Sequence, residues 1–131
     1  MINPKVYQKQ IEDLGIEGKE IVPQSIHDAH IIFEELKYIE KVLDHIRYNI
    51  RMDTRAIRKE YIKKLKKVDH NSSKNKIKQK RNLIEERNLK ISQYESIIYT
   101  VDHYLRQIKD AKSYVLNFSQ NHQEKDSLIE D

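Results

Sequence analysis

The feature that most constrains the fold is a long stretch without helix breakers. Both prolines and both glycines lie before residue 24, and residues 24–131 contain neither type. Because these are the two residue types that most strongly interrupt helices, the stretch predicts helix over most of the chain. Only 37% of residues are hydrophobic and 35% are charged. Such a composition suits disorder or a long helical hairpin, in which each helix buries a narrow stripe.

Capping residues and a polar run mark the limits of three helices, which we assign to one domain of residues 1–131. Asn3 and Pro4 suit the start of a short helix over 4–14. Ser25, three residues before Asp28, suits the start of a second helix.

The polar run 70–73 separates two long helices, predicted over 24–69 and 75–120. We expect residues 121–131 to form a flexible tail. Within the second long helix, Lys80 and Arg87 stand at heptad positions where apolar residues are expected, which predicts a polar distal seam.

Apolar stripes on the long helices decide between disorder and a hairpin. The first stripe comprises Leu36, Ile39, Leu43, Ile46, Ile50, Ile57, Tyr61, Leu65 and Val68, and the second Ile77, Ile84, Ile91, Tyr94, Ile98, Val101, Leu105, Ile108, Val115 and Phe118. Facing residues of an antiparallel pair have position numbers with a constant sum. Sums of 144 and 145 match the stripes, as in Ile46 with Ile98, Tyr61 with Ile84 and Val68 with Ile77. The predicted fold is all-α, a long antiparallel coiled-coil helical hairpin with the short N-terminal helix packing at its base.

Near the base, several apolar side chains lie off these stripes. We predict that they serve association, and they are Ile31, Tyr38, Val42, Ile97 and Tyr104. Because a soluble protein rarely leaves such a patch bare, the short helix or a second copy of the chain should cover it. A homodimer, or a protein partner at the base, is the corresponding prediction.

Charge is segregated along the predicted hairpin. Residues 55–90 hold 14 Lys/Arg and 4 Asp/Glu, a net of +10, whereas the remainder holds 11 and 17, a net of −6. A projecting basic tip attracts phosphate backbones. The candidate nucleic-acid-binding residues are Arg47, Arg51, Arg55, Arg58, Lys59, Lys63, Lys66, Lys67, Lys74, Lys76, Lys78 and Arg81. The alternatives are an acidic protein, an anionic membrane surface, or no partner and a solvated helical surface.

Within this set, Arg47, Arg51, Arg55 and Arg58 lie within roughly 80° of one another on a helical wheel. One interpretation is a ridge that tracks phosphates from the tip toward the base. The other is a set of ion pairs beside the seam, such as Arg51 with Glu95 and Arg58 with Glu86.

Metal and enzyme chemistry find little support in the sequence. His27 and His30, and the Asp-His pairs at 44–45 and 102–103, flank the seam without forming a legible ligand set. There is no cysteine, two glycines make no phosphate-binding loop, and no Ser/His/acid pattern is visible. We therefore predict a non-enzymatic protein without metal or cofactor. The lack of a signal-peptide core or a long apolar run predicts a cytoplasmic protein without membrane contact.

Two functions remain open. The first is a nucleic-acid-binding or accessory protein that contacts the phosphate backbone through its basic tip. The alternative is a helical protein–protein interaction or assembly scaffold that uses the apolar base. The sequence does not distinguish RNA from DNA.

Overall fold

The computed structural model describes residues 1–70 and 74–130, with side chains through His122, and these residues form three helices and no strand. They are α1 (Pro4–Asp13), α2 (Ile26–Asp69) and α3 (Lys76–Glu130). The predicted turn at Asn71–Ser73 lies outside the described residues. Helix α3 continues past residue 120, where its end was predicted, because no proline or glycine interrupts the chain there.

The starts of α1 and α2 follow the predicted capping residues. The Asn3 side chain accepts a hydrogen bond of 2.9 Å from the Lys5 amide, and Pro4 opens α1. At α2, the Asp28 amide donates to Ser25 Oγ at 3.0 Å, while the Asp28 carboxylate accepts from the Gln24 amide at 2.9 Å. These contacts satisfy amides that a helix start otherwise leaves without partners.

Helices α2 and α3 form a hairpin. Among the described residues, four ion pairs cross between them: Glu40 with Lys112 at 3.2 Å, Arg47 with Asp102 at 3.3 Å, Arg58 with Glu95 at 4.0 Å, and Asp69 with Lys80. Partners later in α2 meet partners earlier in α3, so the helices run in opposite directions. The apolar stripes supply the core between them, where Leu43, Ile50 and Val101 are completely buried. Burial of these stripes is the main term holding such long, charged helices together.

The register of the hairpin differs from the prediction. Position numbers of the crossing ion pairs add to 149, 152 and 153, against the predicted 144 or 145. Side chains of an α-helix lean toward its N-terminus, which accounts for about two positions of the difference between the observed and predicted sums. The rest of the difference corresponds to a shift of α3 along α2 by about one helical turn. The predicted pairs Arg51–Glu95 and Arg58–Glu86 are therefore wrong, and Glu95 meets Arg58 instead.

Toward the beginning of α3, the second apolar stripe also turns away from the interface with α2. Ile91 is 6% exposed, Ile84 38% and Ile77 78%, so the stripe does not stay buried along its whole length as predicted. The cause is geometric, because residues seven apart drift by about 20° per heptad on a straight α-helix. Leu83 takes the inward position instead of Ile84, packed against the core.

Helix α1 lies along the middle of the hairpin and reaches both long helices. Tyr7 donates a hydrogen bond of 2.7 Å to the Asp53 carboxylate, and its ring meets Tyr94 edge-on at 6.4 Å. Tyr94 in turn donates to the Ile2 carbonyl at 2.8 Å. Gly15, at φ +60°, ends α1 as predicted, since a side chain is disfavoured there. The hairpin therefore has a three-helix part around α1 and a two-helix part beyond it.

Candidate nucleic-acid interface

We call residues 55–70 and 74–90 the basic tip, and the remaining described residues the base. The tip consists of the end of α2 and the beginning of α3, beyond the reach of α1. Its lysines and arginines therefore project from two helices alone, with solvent around most of their surface.

Five cations recur every four residues along α2. This cation series is Arg51, Arg55, Lys59, Lys63 and Lys67. All five side chains are exposed, and none has an ion pair within the described parts of the chain. Neighbours in the series stand about 6 Å apart along the helix axis and wind gradually around it. They present a line of positive charge rather than a pocket for one anion.

The beginning of α3 adds cations to the same end of the hairpin. Lys74, Lys78 and Arg81 are exposed. Lys76 donates to the Asp69 carbonyl at 2.9 Å, and Lys80 binds the Asp69 carboxylate. The hydrogen bond from Lys80 lowers the pKa of Asp69, which stays ionised and neutralises part of the tip.

The four predicted ridge arginines divide into two kinds. Arg47 lies between Asp44 and Asp102, 3.3 Å from each carboxylate, so its charge is already compensated. Arg58 has a longer contact of 4.0 Å with Glu95. Arg51 and Arg55 remain open to solvent. Ion pairs therefore occupy Arg47 and Arg58, whereas Arg51 and Arg55 are open cations that face outward.

Two further lysines are occupied at the inner edge of the tip. The Lys64 and Lys90 ammonium groups lie 4.6 and 5.2 Å from the centre of the Tyr61 ring, within the range of cation–π attraction. Lys64 also pairs with Glu60 at 3.1 Å, and this hydrogen bond lowers the Glu60 pKa. Neither lysine belongs to the predicted nucleic-acid-binding set, and both contact the buried Tyr61 ring.

Comparison with known proteins adds no relative. No family model, curated protein or solved structure matches the chain.

No helix among the described residues is long and apolar enough to cross a membrane. The same residues bring no three His, Asp or Glu side chains together as a possible metal site, and His27, His30, His45 and His103 are all exposed.

The predicted association residues occupy different environments. Ile97 is buried, in the part of α3 that faces α1, and Tyr104 donates to Glu17 at 2.7 Å. Val42 is half-buried, whereas Ile31 and Tyr38 are 48% and 65% exposed. Helix α1 therefore covers only one side of the predicted patch.

The exposed side of this patch lines a groove that sequence reasoning missed. Two adjoining open cavities of about 730 and 860 Å³ run between α2 and the end of α1, sharing Asp13, Leu14 and Tyr38 in their walls. The sequence indicated the apolar side chains on α2, but only the position of α1 makes a groove of them.

Proposed function

We propose that the chain is a cytoplasmic, non-enzymatic nucleic-acid-binding or accessory protein that holds a phosphate backbone along its basic tip. The cation series on α2 carries this proposal. Like charges four residues apart on a helix destabilise it by about 0.2–0.5 kcal/mol per pair. The series contains four such neighbouring pairs, so it costs stability that a structural role does not explain.

Binding to a phosphate backbone would account for this arrangement of cations. Each neutralised phosphate releases condensed counterions, which makes repeated, open cations effective and the binding strongly salt-dependent. Lys66 and Lys67 have a structural reason as well, since cations favour the last turn of a helix such as α2. Arg51, Arg55, Lys59 and Lys63 have no such reason.

The shape of the tip favours recognition of the backbone over recognition of base sequence. A line of cations that winds around the helix offers no donor and acceptor pattern for base edges. The nearest exposed aromatic side chain on the same outward side of α2 is Tyr48, 60% exposed, one turn before Arg51. Stacking on unpaired bases is therefore confined to the inner end of the series.

We further infer that the buried middle of the hairpin packs as an antiparallel coiled coil. Ile39, Leu43, Ile46 and Ile50 alternate spacings of four and three and are all buried. This segment would hold the tip at a set distance from α1.

A scaffold function is the second candidate, and the groove beside α1 favours it. Its exposed Tyr38 and Ile31 suit an apolar contact with another protein. Such a contact should persist at high salt, whereas binding through the tip should not.

Titration of labelled duplex DNA, duplex RNA and single-stranded RNA by fluorescence anisotropy tests the leading proposal. The tip variant replaces all five residues of the cation series with Gln, which keeps helix propensity. A matched control removes five exposed cations of the base, by Gln at Lys5, Lys9, Lys41, Arg106 and Lys109. Circular dichroism confirms that both variants remain helical.

The tip variant should lose affinity and salt dependence together. On duplex DNA, each lost phosphate contact should flatten the slope of log affinity against log salt by about 0.9. The control should keep most of the affinity and slope. Equal losses in the two variants, or no binding by the unchanged protein at low salt, would contradict the proposal.

A further inference from the structure

The negative charge of the base is concentrated beside the groove. Residues 12–35 hold seven Asp/Glu and one Lys, a net of −6. Asp13, Glu34, Glu35 and Asp44 line the groove, together with Lys19 and Lys41. The groove between α1 and α2 therefore combines an apolar floor with a rim of net negative charge.

The acidic residues at the end of α1 oppose a local stability rule. Glu12 and Asp13 lie in its last turn, where no basic residue accompanies them. The helix dipole disfavours anions at this end by about 0.3–1 kcal/mol. Such a departure from local stability is expected where a surface serves contact with a partner. A basic partner with some apolar surface suits this chemistry.

The chain itself carries a surface of this chemistry. On α2, exposed side chains recur every seven residues and change from apolar to basic toward the tip. This outer stripe is Ile31, Tyr38, His45, Met52, Lys59 and Lys66. Its first two members line the groove, and its last two belong to the basic tip.

The outer stripe complements itself when two copies run antiparallel. Pairing positions whose numbers add to 97 places Tyr38 opposite Lys59 and Glu34 opposite Lys63. The first pair suits a cation–π contact and the second an ion pair. In this arrangement Lys59 and Lys63 of each copy lie over the acidic groove of the other, so the dimer contact and a phosphate backbone compete for these two lysines.

We propose that this protein forms an antiparallel, two-fold symmetric homodimer in which the tip of each copy docks on the acidic groove beside α1 of its partner. The two contacts are equivalent by symmetry, so the assembly closes at two copies. A dimer that paired base with base would instead oppose two surfaces of net −6. The contact spans about 50 Å along α2 but is only one helix wide, so we expect a weak, salt-sensitive dimer.

The charged side chains at the proposed dimer contact can exchange their present partners for those of a second copy. Glu34 pairs with Lys37 at 3.5 Å and Glu35 with Lys19 at 3.7 Å, and both carboxylate side chains are more than half exposed. Exposed pairs of this kind contribute about 0–1 kcal/mol, so they exchange readily for contacts with a second copy. Lys59 and Lys63 have no ion pair within the described residues.

Sedimentation velocity with two charge-reversed variants tests the dimer without any nucleic acid, and so independently of the proposed function. The groove variant is Glu34→Lys with Glu35→Lys, and the tip variant is Lys59→Glu with Lys63→Glu. The control, Arg106→Glu with Lys109→Glu, reverses two exposed cations on α3 away from the stripe. Circular dichroism follows helix content in each.

The unchanged protein and the control should dimerise at low salt and high micromolar concentration, and dissociate as salt rises. Each of the other variants alone should dimerise at least about tenfold more weakly. An equimolar mixture of the two should restore a dimer, because both of its contacts then join opposite charges. This restoration also shows that each variant is folded.

Several results would overturn the proposal. They are a monomer at low salt, a dimer that both variants leave intact, a mixture that stays monomeric, and assembly beyond two copies.

Discussion

The base and the basic tip share the same two helices but differ in how they are held together. At the base, α1 adds a third helix, Tyr7 and Ile11 are buried against the core, and Leu36, Leu43 and Ile50 are almost completely buried. At the tip, Ile57 and Tyr61 are also buried, but Ile62 and Ile77 are exposed, and Lys80 and Arg87 take heptad positions. The base therefore holds most of the stability of the molecule, and the tip beyond Tyr61 presents charge over little apolar core.

Truncation of a core residue in the base and of an exposed stripe residue in the tip should show the largest difference in stability between the two regions. Leu43→Ala removes a side chain with no exposure and should cost about 2–5 kcal/mol through lost burial and a cavity. Ile77→Ala, at a side chain 78% exposed, should change stability by less than about 0.5 kcal/mol. Urea unfolding of both variants provides the measurement, and similar losses would show that the tip has an apolar core of its own.

The contact of α1 with the hairpin should give an intermediate effect. Tyr7→Phe removes the hydrogen bond to Asp53 and should cost about 1–2 kcal/mol, because a half-buried carboxylate then loses its donor. Tyr99→Phe is the matched control at a side chain 75% exposed. A cost as small as that of the control would mean that α1 is held by apolar contacts alone.

The same tyrosine predicts a loss of stability at alkaline pH. Burial, with the hydrogen bond to Asp53, raises the pKa of Tyr7 above its ordinary value of 10.0. Below that pH the hydroxyl is neutral in both states, and its contribution is fully present. Above it, the unfolded chain loses the proton first, so the free energy of unfolding should fall as pH rises. Unfolding curves around and above pH 10 should show a shallower fall for Tyr7→Phe, and an unchanged slope would contradict this assignment.

The smallest expected difference between the base and the basic tip is in how much their ion pairs contribute to stability. The Glu40 and Lys112 side chains, 25% and 23% exposed, are more protected from solvent than Asp69 and Lys80, at 52% and 39%. Lys112→Met should therefore cost about 1 kcal/mol, and Lys80→Met about 0–0.5 kcal/mol with greater sensitivity to salt. The order of the two losses in thermal melts at low and high salt sharpens the comparison, and a reversed order would contradict it.

The sequence by itself determined the helices and the distribution of charge. A chain without proline or glycine after residue 24, with capping residues at Asn3 and Ser25, has few alternatives to the observed helices. The basic tip was also readable, because fourteen cations between residues 55 and 90 stay near one end of any such hairpin. Which of these fourteen are open was not readable, since Arg58 and Lys76 find their partners only in the folded chain.

Tertiary structure alone decided the register and the place of α1. Stripes with a seven-residue repeat match each other again when one helix slides by a heptad, so the matching sum near 144 did not select a register. Drift of the seven-residue repeat on a straight helix then turned Ile77 and Ile84 out of the seam. One of the contacts that place α1 is the Tyr7–Asp53 hydrogen bond, between residues 46 positions apart. A contact this remote leaves no periodic trace in the sequence, because it joins two helices through one pair of polar atoms.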